Sequence, residues 1–107
     1  RFGGFLTGWH LEFIAHFSHR IVQLDFLSAK GLIGNITLLA DCTNLTCANF
    51  MSCREITGDI CVFKNTPNLV QLRMGGCNKI NGSIAVFENN PNLRILDLRE
   101  CFNINGD

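Results

Sequence analysis

Apolar residues recur along the chain in columns at one fixed interval. Ile21, Leu45, Leu69 and Leu93 form one column, and Leu24, Ala48, Leu72 and Leu96 a second. Phe26, Phe50, Met74 and Leu98 form a third, and Leu32, Ile56, Ile80 and Ile104 a fourth. Glycines keep the same step at Gly34, Gly58, Gly82 and Gly106. So do the thiols Cys53, Cys77 and Cys101, with Ala29 in the equivalent earlier place. A fixed period of about 24 residues is the mark of stacked units, each too small to bury its own apolar edge alone.

Within a unit the apolar residues stand at the first, fourth and sixth positions of a short segment. This predicts strands over 21–26, 45–50, 69–74 and 93–98, with the fourth and sixth side chains pointing inward and the third, fifth and seventh outward. Such strands, in parallel about 4.8 Å apart, build one sheet. On the return legs, Ile60 and Phe63 stand three residues apart, as do Ile84 and Phe87, the spacing of a turn of α or 3₁₀ helix. Pro67 and Pro91 close those legs. The glycine column reads as a turn after each strand, at backbone positions that disfavour a side chain.

The first unit is out of phase. Ile14 and Phe17 stand where the period places the Ile60/Phe63 pair, but two residues late, and Leu11, Ile14 and Phe17 share one helical face. Residues 1–9 read as the tail of a partial unit, with Arg1 to Phe5 lying three full periods before Arg73 to Cys77.

The segment LVQLRMGGCNKI (69–80) resembles the leucine-rich repeat, close to its cysteine-containing subclass, and the following INGSIAVF resembles the plant or receptor-like subclass. Where that second subclass usually carries proline, this chain has Thr37, Cys61 and Ala85. The resemblance implies an α/β solenoid with a parallel sheet on its concave face and short helical or 3₁₀ return legs. It covers residues 1–107 as a single array, an uncapped piece of a longer protein with neighbouring repeats at both ends. Raw repeat edges of that kind predict weak stability or self-association.

Composition narrows the function classes. Apolar residues make up 47% and charged ones 17% with a formal net charge of +0, so the chain is neither disordered nor basic enough for nucleic acid to be its partner. No apolar run reaches the roughly 18–20 residues of a membrane-spanning helix. Of the six cysteines, three form the inward-pointing column, which is poor disulfide geometry. They are expected as reduced, buried thiols that cap loop backbone, which leans toward the cytoplasm. Three sequons, at Asn35, Asn44 and Asn81, are what an extracellular receptor or surface protein would carry instead. The repeat columns Asn44/Asn68/Asn92 and Asn81/Asn105 also give these asparagines a structural reason to exist.

Candidate chemistry is sparse. His16 and His19, with His10, Cys42 and Cys47, supply zinc-ligand types at a spacing that matches no standard zinc pattern. Cys47 with a histidine lacks any mark of an activated thiol. No catalytic, cofactor or metal residue is therefore assigned, and a zinc- or cysteine-dependent enzyme is the remaining alternative. The resemblance implies a protein ligand on the concave face. Third positions there are Gln23, Cys47, Gln71 and Ile95; fifth positions are Asp25, Asn49, Arg73 and Asp97; seventh positions are Leu27, Met51, Gly75 and Arg99. Leu27 and Met51 beside Cys47 form an apolar patch next to charge, a composition suited to protein contact. A mere spacer would show only a solvated sheet with exposed pairs such as Arg73 with Asp97, worth about 0–1 kcal/mol. The sequence thus reads as a non-catalytic protein-interaction module.

Overall fold

The computed structural model describes residues 10–29 and 31–106; the partial unit expected over 1–9 lies outside them. Each period opens with a three-residue strand: β1 (Gln23–Asp25), β3 (Cys47–Asn49), β5 (Gln71–Arg73) and β7 (Ile95–Asp97). These pair in parallel in the order β1-β3-β5-β7. The register advances by one full period per strand, so that Leu24, Ala48, Leu72 and Leu96 lie side by side. Ladder bonds extend past the strand ends. Thr46 N–H donates to Val22 O at 2.8 Å, and Ser28 N–H to Met51 O at 2.8 Å. The paired segment is thus centred later than the expected 21–26 span, because its first residue turns inward as a core side chain.

A second sheet, absent from the sequence reading, runs through β2 (Gly34–Asn35), β4 (Ile56–Asp59), β6 (Ile80–Ser83) and β8 (Ile104–Asn105). Its register falls two residues short of a full period: Gly34 faces Ile56, Gly58 faces Ile80 and Gly82 faces Ile104. Each middle strand pairs with the previous unit through its first half and with the next through its second. The glycine sits at that handover with positive φ, 114° at Gly58 and 125° at Gly82. This corrects the turn assignment: Gly34, Gly58 and Gly82 belong to the second strands while Gly106 directly follows β8, and the positive-φ backbone that glycine tolerates lets the middle strands pass from one neighbour to the other.

Return legs follow as short 3₁₀ helices, η2 (Ile36–Leu39), η3 (Ile60–Asn65) and η4 (Ile84–Asn89). Each is started by a side chain accepting the N–H two residues on: Asn35 from Thr37 (2.9 Å), Asp59 from Cys61 (2.8 Å), Ser83 from Ala85 (3.1 Å). In the first unit His10 Nδ1 does the same for Glu12 (2.9 Å) and opens the five-residue helix α1 (Leu11–Ala15), followed by η1 (Ser18–Arg20). His10 thus occupies the capping place. Leu11 and Ile14, not Ile14 and Phe17, are the equivalents of Ile60 and Phe63; both are buried, whereas Phe17 is exposed. The extra residue lies farther on, since Ile14 precedes Ile21 by seven residues where Phe63 precedes Leu69 by six.

Between the sheets and the return legs lies one core, into which all four expected columns point. Phe26 stacks on Phe50 with centroids 5.9 Å apart, and Phe63 on Phe87 at 6.4 Å. Leu24, Ala48 and Leu72 are at most 1% exposed while Leu96 is 40% exposed, because among the described residues no further unit covers it. The thiol column behaves as expected. Cys53, Cys77 and Cys101 are buried, and their Sγ atoms donate to Phe26 O, Phe50 O and Met74 O at 3.0, 2.9 and 3.0 Å. A buried polar column escaped the reading: Ser18, Cys42, Thr66 and Asn90 also stand one period apart, just before each first apolar position. The fold is therefore α/β, with two sheets of parallel strands and short helices.

Candidate functional site

The residues singled out for partner contact lie in or just after β1, β3, β5 and β7. Register places Gln23, Cys47, Gln71 and Ile95 in one row and Asp25, Asn49, Arg73 and Asp97 in the next. Of these, Gln23 and Ile95 are exposed and the others partly so. Leu27 and Arg99 are exposed at the strand ends, Met51 is half-buried between units, and Gly75 is buried.

The fifth-position row does local work. Asp25 Oδ1 accepts Leu27 N–H (3.3 Å), Asn49 Oδ1 accepts Met51 N–H (3.0 Å) and Asp97 Oδ1 accepts Arg99 N–H (3.1 Å). These Asx turns bend the chain into the positive-φ residues Ser28, Ser52 and Glu100. Asp25, Asn49 and Asp97 are thus partly committed to the turns and are not simply free recognition groups. Arg73 is the departure, since a guanidinium accepts nothing. In that unit Gly76 takes the positive-φ place, at 82°, and Gly75 N–H donates instead to Met51 Sδ of the preceding unit at 3.2 Å. A Cβ on Gly75 would stand 2.9 Å from Met51 Cε, so the methionine lies directly on the glycine.

The Arg73–Asp97 ion pair that a mere spacer would show is not formed. Asp97 is held by Arg99, Nη2 to Oδ2 at 2.8 Å and Nε to Oδ1 at 3.1 Å, because Arg99 leaves the same turn that Asp97 caps. Hydrogen bonds from Arg99 keep the Asp97 carboxyl below its ordinary range, with Arg73 adding a weaker charge effect. Asp97 also raises Arg99 through hydrogen bonding. With no side chain at Gly75, a shallow notch of about 190 Å³ opens among Met51, Ser52, Gly75, Gly76, Arg99 and Glu100.

His16 and His19 are exposed, His10 caps α1, and Cys42 is buried; among the described residues no group of three His, Cys, Asp or Glu could hold a metal ion. Burial pushes Cys53 up to about 11 and Cys77 up to about 12, and burial with Asp41 pushes Cys42 up to about 11. Such thiols are poor nucleophiles at neutral pH. Cys61 is exposed at the start of η3, and its thiol is also raised, first by desolvation and then by the Asp59 carboxylate. Asn44 Nδ2 donates to His19 O at 3.1 Å, and Asn35 is the cap of η2, so two sequon asparagines have local roles.

Comparison of the chain with protein-family models and with curated proteins returns no match. Among the described residues, no helix is long and apolar enough to cross a membrane.

Proposed function

We propose that the chain is a leucine-rich-repeat-like solenoid segment acting as a non-catalytic protein-interaction module, with the outward side of the β1-β3-β5-β7 sheet as its concave binding face. The observation that supports this best is the departure in the fifth-position row. Of the four units, the first, second and fourth use that residue to hold their turn, whereas the third places an arginine there and leaves the turn to Met51 and Gly75. Local rules broken and then compensated mark places where something other than folding sets the residue. The same side of the sheet also carries the exposed Leu27 and the partly exposed Cys47 and Met51, which with Arg73 make the mixed composition of a protein contact surface.

The test is affinity capture of partners by the chain, by Leu27→Glu/Arg73→Glu on the sheet face, and by Thr57→Glu/Lys79→Glu on the second-sheet side. Proteins retained by the wild type and the second-sheet variant but lost by the sheet-face variant are the expected result. Equal loss in both variants, with both still folded by circular dichroism, overturns the reading.

A second reading, an extracellular receptor or surface-protein segment, is favoured by exposed Asn44 and Asn81, each within a sequon. Secretion from a eukaryotic host followed by glycosidase treatment checks it: a mass shift at either asparagine supports it, and unmodified chain counts against it.

A further inference from the structure

We infer that the sheet face recognises a single carboxylate on its partner, bound by Arg73, with the adjoining apolar side chain of the same peptide segment seated in the notch over Gly75. This rests on the sheet-face reading above and names the chemistry of its ligand. Arg73 lies in β5, opposite Asp97 of β7 in the register, where a cross-strand ion pair would ordinarily neutralise it. That carboxylate is instead filled by Arg99, which donates to it from its backbone N–H, Nε and Nη2. Among the described residues Arg73 has no ion pair, and it is partly exposed. A guanidinium so placed is matched by a carboxylate, which it can bind through two parallel N–H donors.

The notch sets the neighbour. It is lined by Met51, Ser52, Gly75, Gly76, Arg99 and Glu100, and the Met51 thioether that lies on Gly75 offers a soft apolar surface that adapts to a partner side chain. Arg99 and Glu100 both line it; with Arg99 taken up by Asp97, the Glu100 carboxylate repels a second acidic group there. The segment that fits carries one acidic residue beside an apolar one, not an acidic run.

The experiment is selection of random dodecamer peptides displayed on phage by the wild-type chain and by the folded variants Arg73→Gln, Arg73→Lys and Leu27→Glu. Peptides enriched by the wild type should carry Asp or Glu next to an apolar residue. Their affinity should fall about tenfold or more with Arg73→Gln and be partly kept with Arg73→Lys, the loss expected when one partner of a charge pair is removed. Enriched peptides that lose binding with Leu27→Glu but are not acidic, or that bind Arg73→Gln as well as wild type, overturn the carboxylate inference and leave the sheet-face reading standing. Peptides indifferent to all three variants overturn both.

Discussion

The sulfur of Met51 accepts the backbone N–H of Gly75 at 3.2 Å, across the boundary between two units. The equivalent N–H groups of Leu27, Met51 and Arg99 go to an Asp or Asn two residues earlier, so the sulfur replaces an acceptor that Arg73 cannot supply. A thioether is a weak acceptor, but an unpaired amide in the buried Gly75 costs more than a poor bond. Met51→Leu should therefore cost about 1 kcal/mol in the wild type. In an Arg73→Asn background, where the Asx turn can form, the cost should fall below about 0.5 kcal/mol. Denaturant unfolding of the four chains gives the cycle; equal costs in both backgrounds would remove Met51 from this role.

Gly58 and the cap of the preceding unit form a second such dependence. A Cβ on Gly58 would overlap Asn35 Oδ1 and reach Asn35 Cγ at 2.8 Å, and the backbone there has φ 114°. Gly58→Ala should cost about 2 kcal/mol or more, from left-handed strain and collision together. Adding Asn35→Ala relieves the collision but not the strain, so the double variant should be more stable than the sum of the two single losses predicts. Thermal unfolding midpoints of the three variants measure this, and strict additivity would refute the contact.

The core columns were legible in the sequence because Leu24, Ala48, Leu72 and their equivalents repeat in type as well as place. Other columns keep the place and change the type. His10, Asn35, Asp59 and Ser83 share one capping geometry, yet no residue class unites them except the ability to accept a hydrogen bond. Ser18, Cys42, Thr66 and Asn90 are hidden in the same way. The second sheet left no alternating pattern because β2 and β8 are two residues long; its only trace was the glycine column, which also suits a turn. The third- and fifth-position residues do lie side by side in register, as strand alternation implies. The Arg73–Asp97 pair did not follow, because Arg99, two residues along one turn, competes at shorter range than a neighbour across strands.

Burial of the thiols implies a loss of stability at alkaline pH. Cys53 and Cys77 titrate near 11 and 12 in the folded chain, above the ordinary 9.0, because burial disfavours the thiolate. A raised folded pKa means that the associated stability is complete below the unfolded value. It is then lost as pH rises through the window from 9.0 to about 12. Unfolding midpoints should hold steady up to about pH 8 and fall progressively above about pH 9. Cys77→Ser keeps a donor for Phe50 O without an easily ionised thiol, so its alkaline loss should be smaller than that of the wild type. An identical pH profile for the two chains would show that the column does not control it.

Asn90 offers the sharpest separation of charge from hydrogen bonding. Its Nδ2 donates to Phe63 O at 3.0 Å and Thr66 O at 2.8 Å, tying η4 to the unit before it, while its buried Oδ1 has no partner among the described residues. Asn90→Ala removes both donors together with the unpaired oxygen, and should cost about 1–3 kcal/mol. Asn90→Asp has nearly the same shape but turns the donor end into a second acceptor, facing two carbonyl oxygens. It should therefore destabilise more than alanine at pH 7 and recover part of the loss on acidification, as the carboxyl takes up a proton. The order expected in denaturant unfolding is wild type, then Ala, then Asp, with the gap between Ala and Asp narrowing toward low pH. If Asp matched wild type at pH 7, the two bonds from Nδ2 would not be holding the units together.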